Sequence, residues 1–263
     1  MTGDVLVRQD RDYVAELTLN RPDALNALSD ALLAALSTEL ADIAEDRRVR
    51  AVVIRGAGRA FCAGHDLREM QAGRQSEDDG RAFFEGLFAR CSAVMKEIRA
   101  LPQPVIAEVH GIATAAGCQL VSTCDMAVAA EGARFGVNGV NIGLFCSTPM
   151  VALSRDIAPK RAFEMLTTGE MIPAERAKEI GLVIRVVPEA DLSTETAKLA
   201  DTVAAKLGAA VKVGKRAFYE QIEMPLSEAY DHTSRVMVEN MLWRDTDEGI
   251  QAFLEKRPPR WPN

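Results

Sequence analysis

Two segments rich in glycine and alanine each follow a short apolar run and lead into a stretch with helical character. The first segment covers residues 110–117 and precedes Gln119, and the second covers residues 56–64 and precedes Asp66. Small residues at such junctions let a ligand approach the backbone closely. The free N–H groups at a helix start, together with the helix dipole, favour negative charge. The pattern predicts a site for developing negative charge, and a turn selected only for strand–helix packing is the alternative.

The elements that must position these segments can be predicted from periodicity. Apolar runs alternate with helical patterns, which predicts an α/β fold built on a sheet. Ser29 is placed to cap a helix that reaches Ala44, because leucines recur at helical spacing behind it. From residue 192 onwards the pattern is helical throughout. The predicted strands are residues 5–7, 14–19, 51–55, 105–109, 126–129 and 182–187.

Composition excludes several classes of function. The chain has 263 residues and a net charge of -7, which argues against a nucleic-acid partner. It contains no apolar run of the ~18–20 residues that a membrane span needs, so no membrane partner is expected. The three histidines lack metal-ligand spacing, so no metal site is predicted. The five cysteines form no CxxC pair and the first residues lack a secretory signal pattern, which together predict a cytoplasmic protein with reduced thiols.

Further motifs, in chain order, give the sequence a family resemblance. They include residues 17–22 (Leu-Thr-Leu-Asn-Arg-Pro), 24–28 (Ala-Leu-Asn-Ala-Leu) and 177–183 (Ala-Lys-Glu-Ile-Gly-Leu-Val), together with the two glycine-rich segments. With them, residues 5 to 260 resemble the crotonase (enoyl-CoA hydratase/isomerase) superfamily. Residues 143–149 (Gly-Leu-Phe-Cys-Ser-Thr-Pro) are similar to its enoyl-CoA hydratase domain-containing subgroup.

The resemblance implies an architecture. We expect a crotonase-like spiral of repeated ββα units over residues 1–195, which would bind the CoA thioester. A C-terminal helical region over residues 196–263 would then build a homotrimer, or a hexamer of paired trimers.

The resemblance also implies a ligand, an acyl-CoA thioester. Coenzyme A would arrive as part of the substrate, and no permanently bound cofactor is expected. The thioester carbonyl would lie between the backbone N–H groups of His65 and Ala116. The His65 imidazole could serve as an acid or base, or could point away while its amide acts. The other positions that the resemblance assigns to substrate binding are Ala24, Ala63, Gly64, Asp66, Leu67, Gly117 and Lys256.

Two positions depart from the family pattern. The hydratases of this superfamily use two glutamates to position and activate water, and here those positions hold Gln119 and Gly139. An amide cannot cycle as a proton acceptor and glycine supplies no group, so ordinary hydratase activity is doubtful. Cys146 lies near a position where some relatives place a functional aspartate, so it is either a substitute base or a packed, inert thiol.

Two hypotheses about function follow from the resemblance. In the first, the protein is an acyl-CoA lyase or isomerase of fatty acid metabolism that stabilises a thioester enolate through backbone amides. In the second, it is a non-catalytic acyl-CoA-binding protein or an oligomer partner. Both predict ligand binding, and only the first predicts turnover.

Overall fold

The structure, a computed structural model, describes residues 4–261 and contains two sheets within that range. Its strands are β1 (Leu6–Arg11), β2 (Val14–Leu19), β3 (Ala51–Gly56), β4 (Ala60–Cys62), β5 (Val105–Val109), β6 (Ile112–Thr114), β7 (Met126–Ala130), β8 (Arg134–Gly136), β9 (Ile172–Pro173) and β10 (Arg185–Val187). The larger sheet has the order β1-β2-β3-β5-β7-β10, and the smaller one has the order β4-β6-β8-β9.

Within residues 4–261, seven helices lie in connections between these strands and four follow the last strand. They are α1 (Asp30–Glu45), α2 (Leu67–Gly73), α3 (Arg81–Ala100), α4 (Ala116–Thr123), α5 (Pro149–Asp156), α6 (Pro159–Thr168), α7 (Ala174–Glu179), α8 (Leu192–Ala204), α9 (Gly208–Ile222), α10 (Leu226–Met241) and α11 (Arg244–Leu254). Ser29 caps α1 as predicted, because its hydroxyl accepts a hydrogen bond of 3.2 Å from the Leu32 N–H. Within residues 4–261, none of these helices combines the length and the apolar character that crossing a membrane requires.

The chain alternates between the two sheets, which produces the expected repetition. β3, β5 and β7 lie side by side and parallel in the larger sheet, and β4, β6 and β8 do the same in the smaller one. Along the chain, each of these strands of the larger sheet is followed by one of the smaller sheet, which gives the pairs β3–β4, β5–β6 and β7–β8, and helices follow the second strand of each pair. Each turn of the spiral therefore has a ββα order, and it brings the ends of β4 and β6 together.

The larger sheet is buried on both faces. Along β3, Val52 and Ile54 point into the main core, whereas Ala51 and Val53 point to the opposite face. The main core also holds the apolar sides of α1 and α3, and α8 packs on the opposite face. The predicted boundary between residues 195 and 196 falls inside α8.

The last three helices are packed differently from the spiral. One polar cluster attaches α9 to it: the Lys215 ammonium lies 2.7 Å from the Asp125 carboxylate, and the Tyr219 hydroxyl donates to the same carboxylate at 2.6 Å. Beyond that contact, α9–α11 carry many exposed large apolar side chains. These are Phe218, Ile222, Leu226, Tyr230, Met237, Val238, Met241, Ile250, Phe253 and Leu254.

Candidate active site

The two glycine- and alanine-rich segments come together at the start of α4. Gly64 has φ 90° and lies so close to the other segment that a β-carbon added there would sit 3.3 Å from the Ala116 nitrogen. Within residues 4–261, the N–H groups of His65 and Ala116 donate to no acceptor. Ala116 is the first residue of α4, where the N–H has no partner inside the helix. Because Gly64 precedes His65 and lies against the Ala116 nitrogen, two backbone donors that lack acceptors in the described part of the chain lie near each other.

Backbone strain accompanies these donors. Ala115 has φ 50° and ψ -119°, a conformation that L-residues rarely adopt and that costs about 1–3 kcal/mol. Its N–H donates to the Gly136 carbonyl at 2.9 Å, which ties the strained residue to β8. Gly117 lets α4 lie directly on β4, because any β-carbon there would collide with the Cys62 carbonyl oxygen. The fold thus holds the start of α4 in a single orientation.

A cavity of about 330 Å³ opens beside the two donors, and we call it the small cavity. Among the described residues, its lining contains no Asp, Glu, Lys or Arg, and its titratable side chains are those of His65 and Cys146. Thr114 donates a hydrogen bond of 2.6 Å to Asn138 on its wall. The lining residues are Ala63, His65, Leu67, Met70, Phe88, Thr114, Ala115, Ala116, Asn138, Gly139, Asn141, Ile142, Leu144, Phe145, Cys146, Ser147, Thr148 and Pro149.

The His65 imidazole lines the small cavity. Its ring packs edge-on against Phe88, with 5.6 Å between ring centroids, and neither ring nitrogen has a hydrogen-bond partner within residues 4–261. Burial lowers the pKa of this imidazole, an effect that the nearby Leu28 carbonyl opposes only in part. The ring is therefore neutral at pH 7, and its basic nitrogen can accept a proton.

Cys146 also lines the small cavity, and the residue is only 6% exposed. Burial raises the pKa of its thiol, so the protonated form dominates at neutral pH. The thiolate is the basic and nucleophilic form of cysteine. Of the two titratable side chains, His65 is therefore better suited to accept a proton.

Gln119 and Gly139, the positions that the sequence resemblance predicts to correspond to the hydratase glutamates, face different surroundings. A β-carbon at Gly139 would collide with the Leu144 carbonyl oxygen and would lie 2.8 Å from the Cys146 sulfur, so this turn accommodates glycine alone. Gln119 is 4% exposed and lines a second cavity, and its side-chain oxygen has no hydrogen-bond partner within residues 4–261. The small cavity receives neither a carboxylate nor a replacement for one from these positions.

The second cavity, which we call the large cavity, has a volume of about 980 Å³. It lies between the C-terminal half of α3, one side of α4, and the lengths of α5 and α9, and Thr148 lines both cavities. Its lining contains several basic side chains, in contrast to the neutral lining of the small cavity. Its lining residues are spread over elements more than 100 residues apart, so no local sequence pattern predicts this cavity.

Among the predicted substrate-binding residues, Ala63, His65, Leu67 and Ala116 line the small cavity. Gly64 and Gly117 shape its walls from behind without lining it. Asp66 caps α2 by accepting a 3.0 Å hydrogen bond from the Arg68 N–H, which accounts for this residue without a ligand.

Two other predicted residues lie farther from the small cavity. Ala24 ends the 3-10 helix Pro22–Ala24, next to Leu25, whose carbonyl accepts a hydrogen bond of 3.0 Å from Ala63. Lys256 follows α11 as an exposed residue and does not line the cavity.

The structure adds residues that sequence reasoning missed. Phe88 and Met70 line the small cavity from α3 and α2, and Thr114 lines it from β6. In the sequence, the feature that could have indicated the role of Phe88 was its spacing of four residues from Phe84, and the two rings stack with 6.3 Å between centroids. That spacing predicts a shared helix face but not what the face contacts.

Comparisons with known proteins agree with the resemblance found in the sequence. The family profile described as Enoyl-CoA hydratase/isomerase matches residues 9–263. Enoyl-CoA hydratase domain-containing protein 3, mitochondrial, from Homo sapiens is 45% identical over 250 residues, which cover 95% of this chain and 81% of the relative. A crystal structure of the human protein of that name superimposes with a TM-score of 0.93 at 44% identity, covering 98% of this chain and 100% of the other.

A second solved structure is also very similar. The crystal structure of an enoyl-CoA hydratase from Mycobacterium smegmatis gives a TM-score of 0.94 at 53% identity, covering 98% of each chain. Together these similarities confirm the predicted crotonase fold and the resemblance to the enoyl-CoA hydratase domain-containing subgroup.

The same comparisons correct one prediction. Similar relatives from Homo sapiens, Xenopus laevis and Rattus norvegicus are all named as mitochondrial proteins, so the predicted cytoplasmic location is wrong. The prediction rested partly on the cysteines, which are free and buried in the described residues. Reduced thiols argue against an oxidising compartment but do not distinguish one reducing compartment from another.

Proposed function

Because this chain belongs to the enoyl-CoA hydratase/isomerase family, we propose that it binds an acyl- or enoyl-CoA thioester at the small cavity. The thioester carbonyl oxygen accepts hydrogen bonds from the N–H groups of His65 and Ala116. The observation that carries this proposal is the pair of neighbouring backbone donors without acceptors at the start of α4. One donor of this kind contributes about 100- to 1000-fold to the rate of a reaction that develops negative charge on oxygen.

The chemistry that suits this arrangement is the reversible formation of a thioester enolate. The neutral imidazole of His65 removes a proton from carbon, and the electrons of the broken C–H bond move into the thioester as its oxygen gains negative charge. When the imidazolium returns the proton to a different carbon of an enoyl chain, the double bond moves and the imidazole is regenerated. The reaction is an isomerisation, and it needs no permanently bound cofactor.

Hydration fits the lining less well. Gln119 can orient water but cannot take up and release its proton, and Gly139 offers no side chain. Proton transfer by one positioned group contributes about 100- to 10,000-fold, so hydration of crotonyl-CoA by this chain is slow or absent.

Assembly completes the site in this proposal. The exposed apolar side chains of α9–α11 associate with other copies of the chain to form a trimer or a pair of trimers. Residues 1–195 then hold the thioester and residues 196–263 hold the copies together. Lys256, which is exposed and away from the small cavity of its own chain, contacts the coenzyme A bound by a neighbouring copy.

Calorimetry with acetoacetyl-CoA tests the binding step. We expect saturable binding, with free coenzyme A binding more weakly because it lacks the carbonyl. No binding at millimolar ligand, by protein whose folding is verified by circular dichroism, contradicts the proposal. Incubation with enoyl-, 3-hydroxyacyl- and malonyl-CoA esters, followed by mass spectrometry, then separates a catalyst from a non-catalytic binder, since only a catalyst changes the mass or the retention time of an ester.

A further inference from the structure

The large cavity is basic although the protein is acidic. The whole chain has a net charge of -7, yet six cationic and two anionic side chains line this cavity. The cationic residues are Lys96, Arg99, Arg155, Lys212, Lys215 and Arg216, and the anionic residues are Glu220 and Glu223. Such a local excess of positive charge attracts an anion.

Three of these cations already have carboxylate partners. Lys215 lies 2.7 Å from Asp125. The Arg155 guanidinium lies 3.4 Å from Glu223, the residue after α9, and the Arg216 guanidinium lies 3.7 Å from Glu220 within α9.

The other three cations form no ion pair within residues 4–261. They are Lys96, Arg99 and Lys212. Arg99 stacks on the Tyr219 ring with its guanidinium carbon 3.8 Å from the ring centroid, which fixes its position on the wall. Burial lowers the pKa of Lys212, and the charges of nearby Arg47 and Arg50 lower it further, whereas Asp46 opposes them. Because the lowering causes prevail, a further anion beside this ammonium would be favourable.

The large cavity adjoins the small one. Thr148 lines both, and Gln119 lies three residues after Ala116 on α4, so the large cavity begins one helical turn from the proposed carbonyl site. Gln119 is 4% exposed, and its side-chain oxygen lacks a partner within residues 4–261. The remaining lining includes apolar side chains suited to methylene groups, namely Met95, Leu101, Val151 and Val213.

We propose that the acyl chain of the bound thioester passes Thr148 into the large cavity and ends there in a carboxylate, which Lys96, Arg99 and Lys212 bind. The inference rests on the proposed function, because the thioester carbonyl must lie between the His65 and Ala116 amides. The substrate class is accordingly the mono-CoA esters of dicarboxylic acids. Hydrogen bonds between charged groups are about twice as strong as neutral ones, so the terminal carboxylate should improve affinity about 10- to 100-fold.

Matched pairs of ligands test this proposal by calorimetry. Adipoyl-, suberoyl- and sebacoyl-CoA are each compared with the methyl-ended ester of equal chain length, hexanoyl-, octanoyl- or decanoyl-CoA. We expect at least one dicarboxylic ester to bind about tenfold or more tightly than its partner. The three lengths are needed because only a chain that reaches the basic side chains can gain from them.

The variant Lys96→Gln/Arg99→Gln/Lys212→Gln is expected to lose this preference while it still binds the methyl-ended esters. Lys178→Gln, which removes an exposed lysine of α7 outside both cavities, serves as the matched control and keeps the preference. Circular dichroism verifies that both variants are folded.

Two results overturn the inference and leave the proposed function intact. One is equal affinity of the wild type for both members of every pair, and the other is an undiminished preference in the triple variant. If neither the methyl-ended esters nor acetoacetyl-CoA bind, the proposed function itself is wrong, and the inference fails with it.

Discussion

The small and large cavities meet at Thr148 but are built in different ways. Backbone conformation builds the small cavity: Gly64 and Ala115 both have positive φ, and a tight turn at Gly139 closes the wall. Side chains from α3, α5 and α9 build the large cavity. The small cavity has a neutral lining, whereas the large one carries three cations without ion-pair partners within residues 4–261.

This difference indicates how chemistry and specificity are divided in the molecule. Backbone donors tolerate many side chains, so a site such as the pair at His65 and Ala116 can persist while its surroundings change. In a site made of side chains on separate helices, a single substitution can alter which ligand is bound without disturbing the backbone. In our interpretation, the small cavity supplies the reaction and the large cavity selects the acyl chain.

The largest expected effect comes from removing the His65 imidazole. His65→Ala deletes the proposed base but keeps the residue's N–H, so turnover should fall about 100-fold or more. Affinity for acetoacetyl-CoA should change only a few-fold. Steady-state kinetics on the ester that shows turnover, together with calorimetry, measure the two effects separately. Cys146→Ala is the matched control and should keep its rate, and an unchanged rate in His65→Ala would exclude this residue as the base.

The pH profile offers a second readout for the same residue. Burial lowers the pKa of His65, so the neutral form that can accept a proton persists below the ordinary histidine pKa of about 6.5. Turnover should therefore be constant above that pH and should decline only when the pH falls through the lowered pKa. A rate that climbs steadily between pH 7 and 9 would indicate a different base, such as the Cys146 thiolate.

A smaller effect is expected from removing one backbone donor. Ala116→Pro takes away the N–H at the first position of α4, which has no partner in the helix. Because proline disfavours the conformation of the preceding Ala115 (φ 50°, ψ -119°), circular dichroism first verifies that the variant is folded. Affinity for acetoacetyl-CoA should fall about 10- to 100-fold, the range for a hydrogen bond to a charged group. Ala116→Gly retains the N–H and should bind within a few-fold of wild type. Equal affinity in the proline variant would show that the carbonyl lies elsewhere.

The smallest effect concerns stability and tests whether Gly139 is a structural residue. Gly139→Ala forces a β-carbon against the Leu144 carbonyl and should lower the free energy of unfolding by about 1–3 kcal/mol. Gly214→Ala is the matched control: it lies inside α9 with no heavy atom near its added β-carbon, and it should raise the free energy of unfolding by about 0.5–1 kcal/mol. Urea denaturation measures both. A neutral Gly139→Ala would mean that this turn can accept a β-carbon and that Gly139 is not required by the fold.

Periodicity predicted much of the fold. The alternation of Val52 and Ile54 with Ala51 and Val53 marks a strand buried on both faces, and the Ser29 cap fixed the start of α1. The smaller sheet was missed entirely, because its strands have only two or three residues and show no recognisable period. Such short strands are stabilised by their neighbours in the spiral and not by local preference.

For the site, the sequence by itself determined the groups that act through the backbone. The glycines and alanines around His65 and Ala116 permit the tight turns that leave two N–H groups without acceptors among residues 4–261, and that requirement is local enough to be predicted from residue order. Only the tertiary structure decided where side chains point. It placed the His65 ring in the small cavity and Gln119 in the large one. It also brought Lys96 and Arg99 of α3 and Lys212 of α9 into the lining of the same cavity. The physical reason is that these positions depend on how helices pack across the core, which no single segment of sequence encodes.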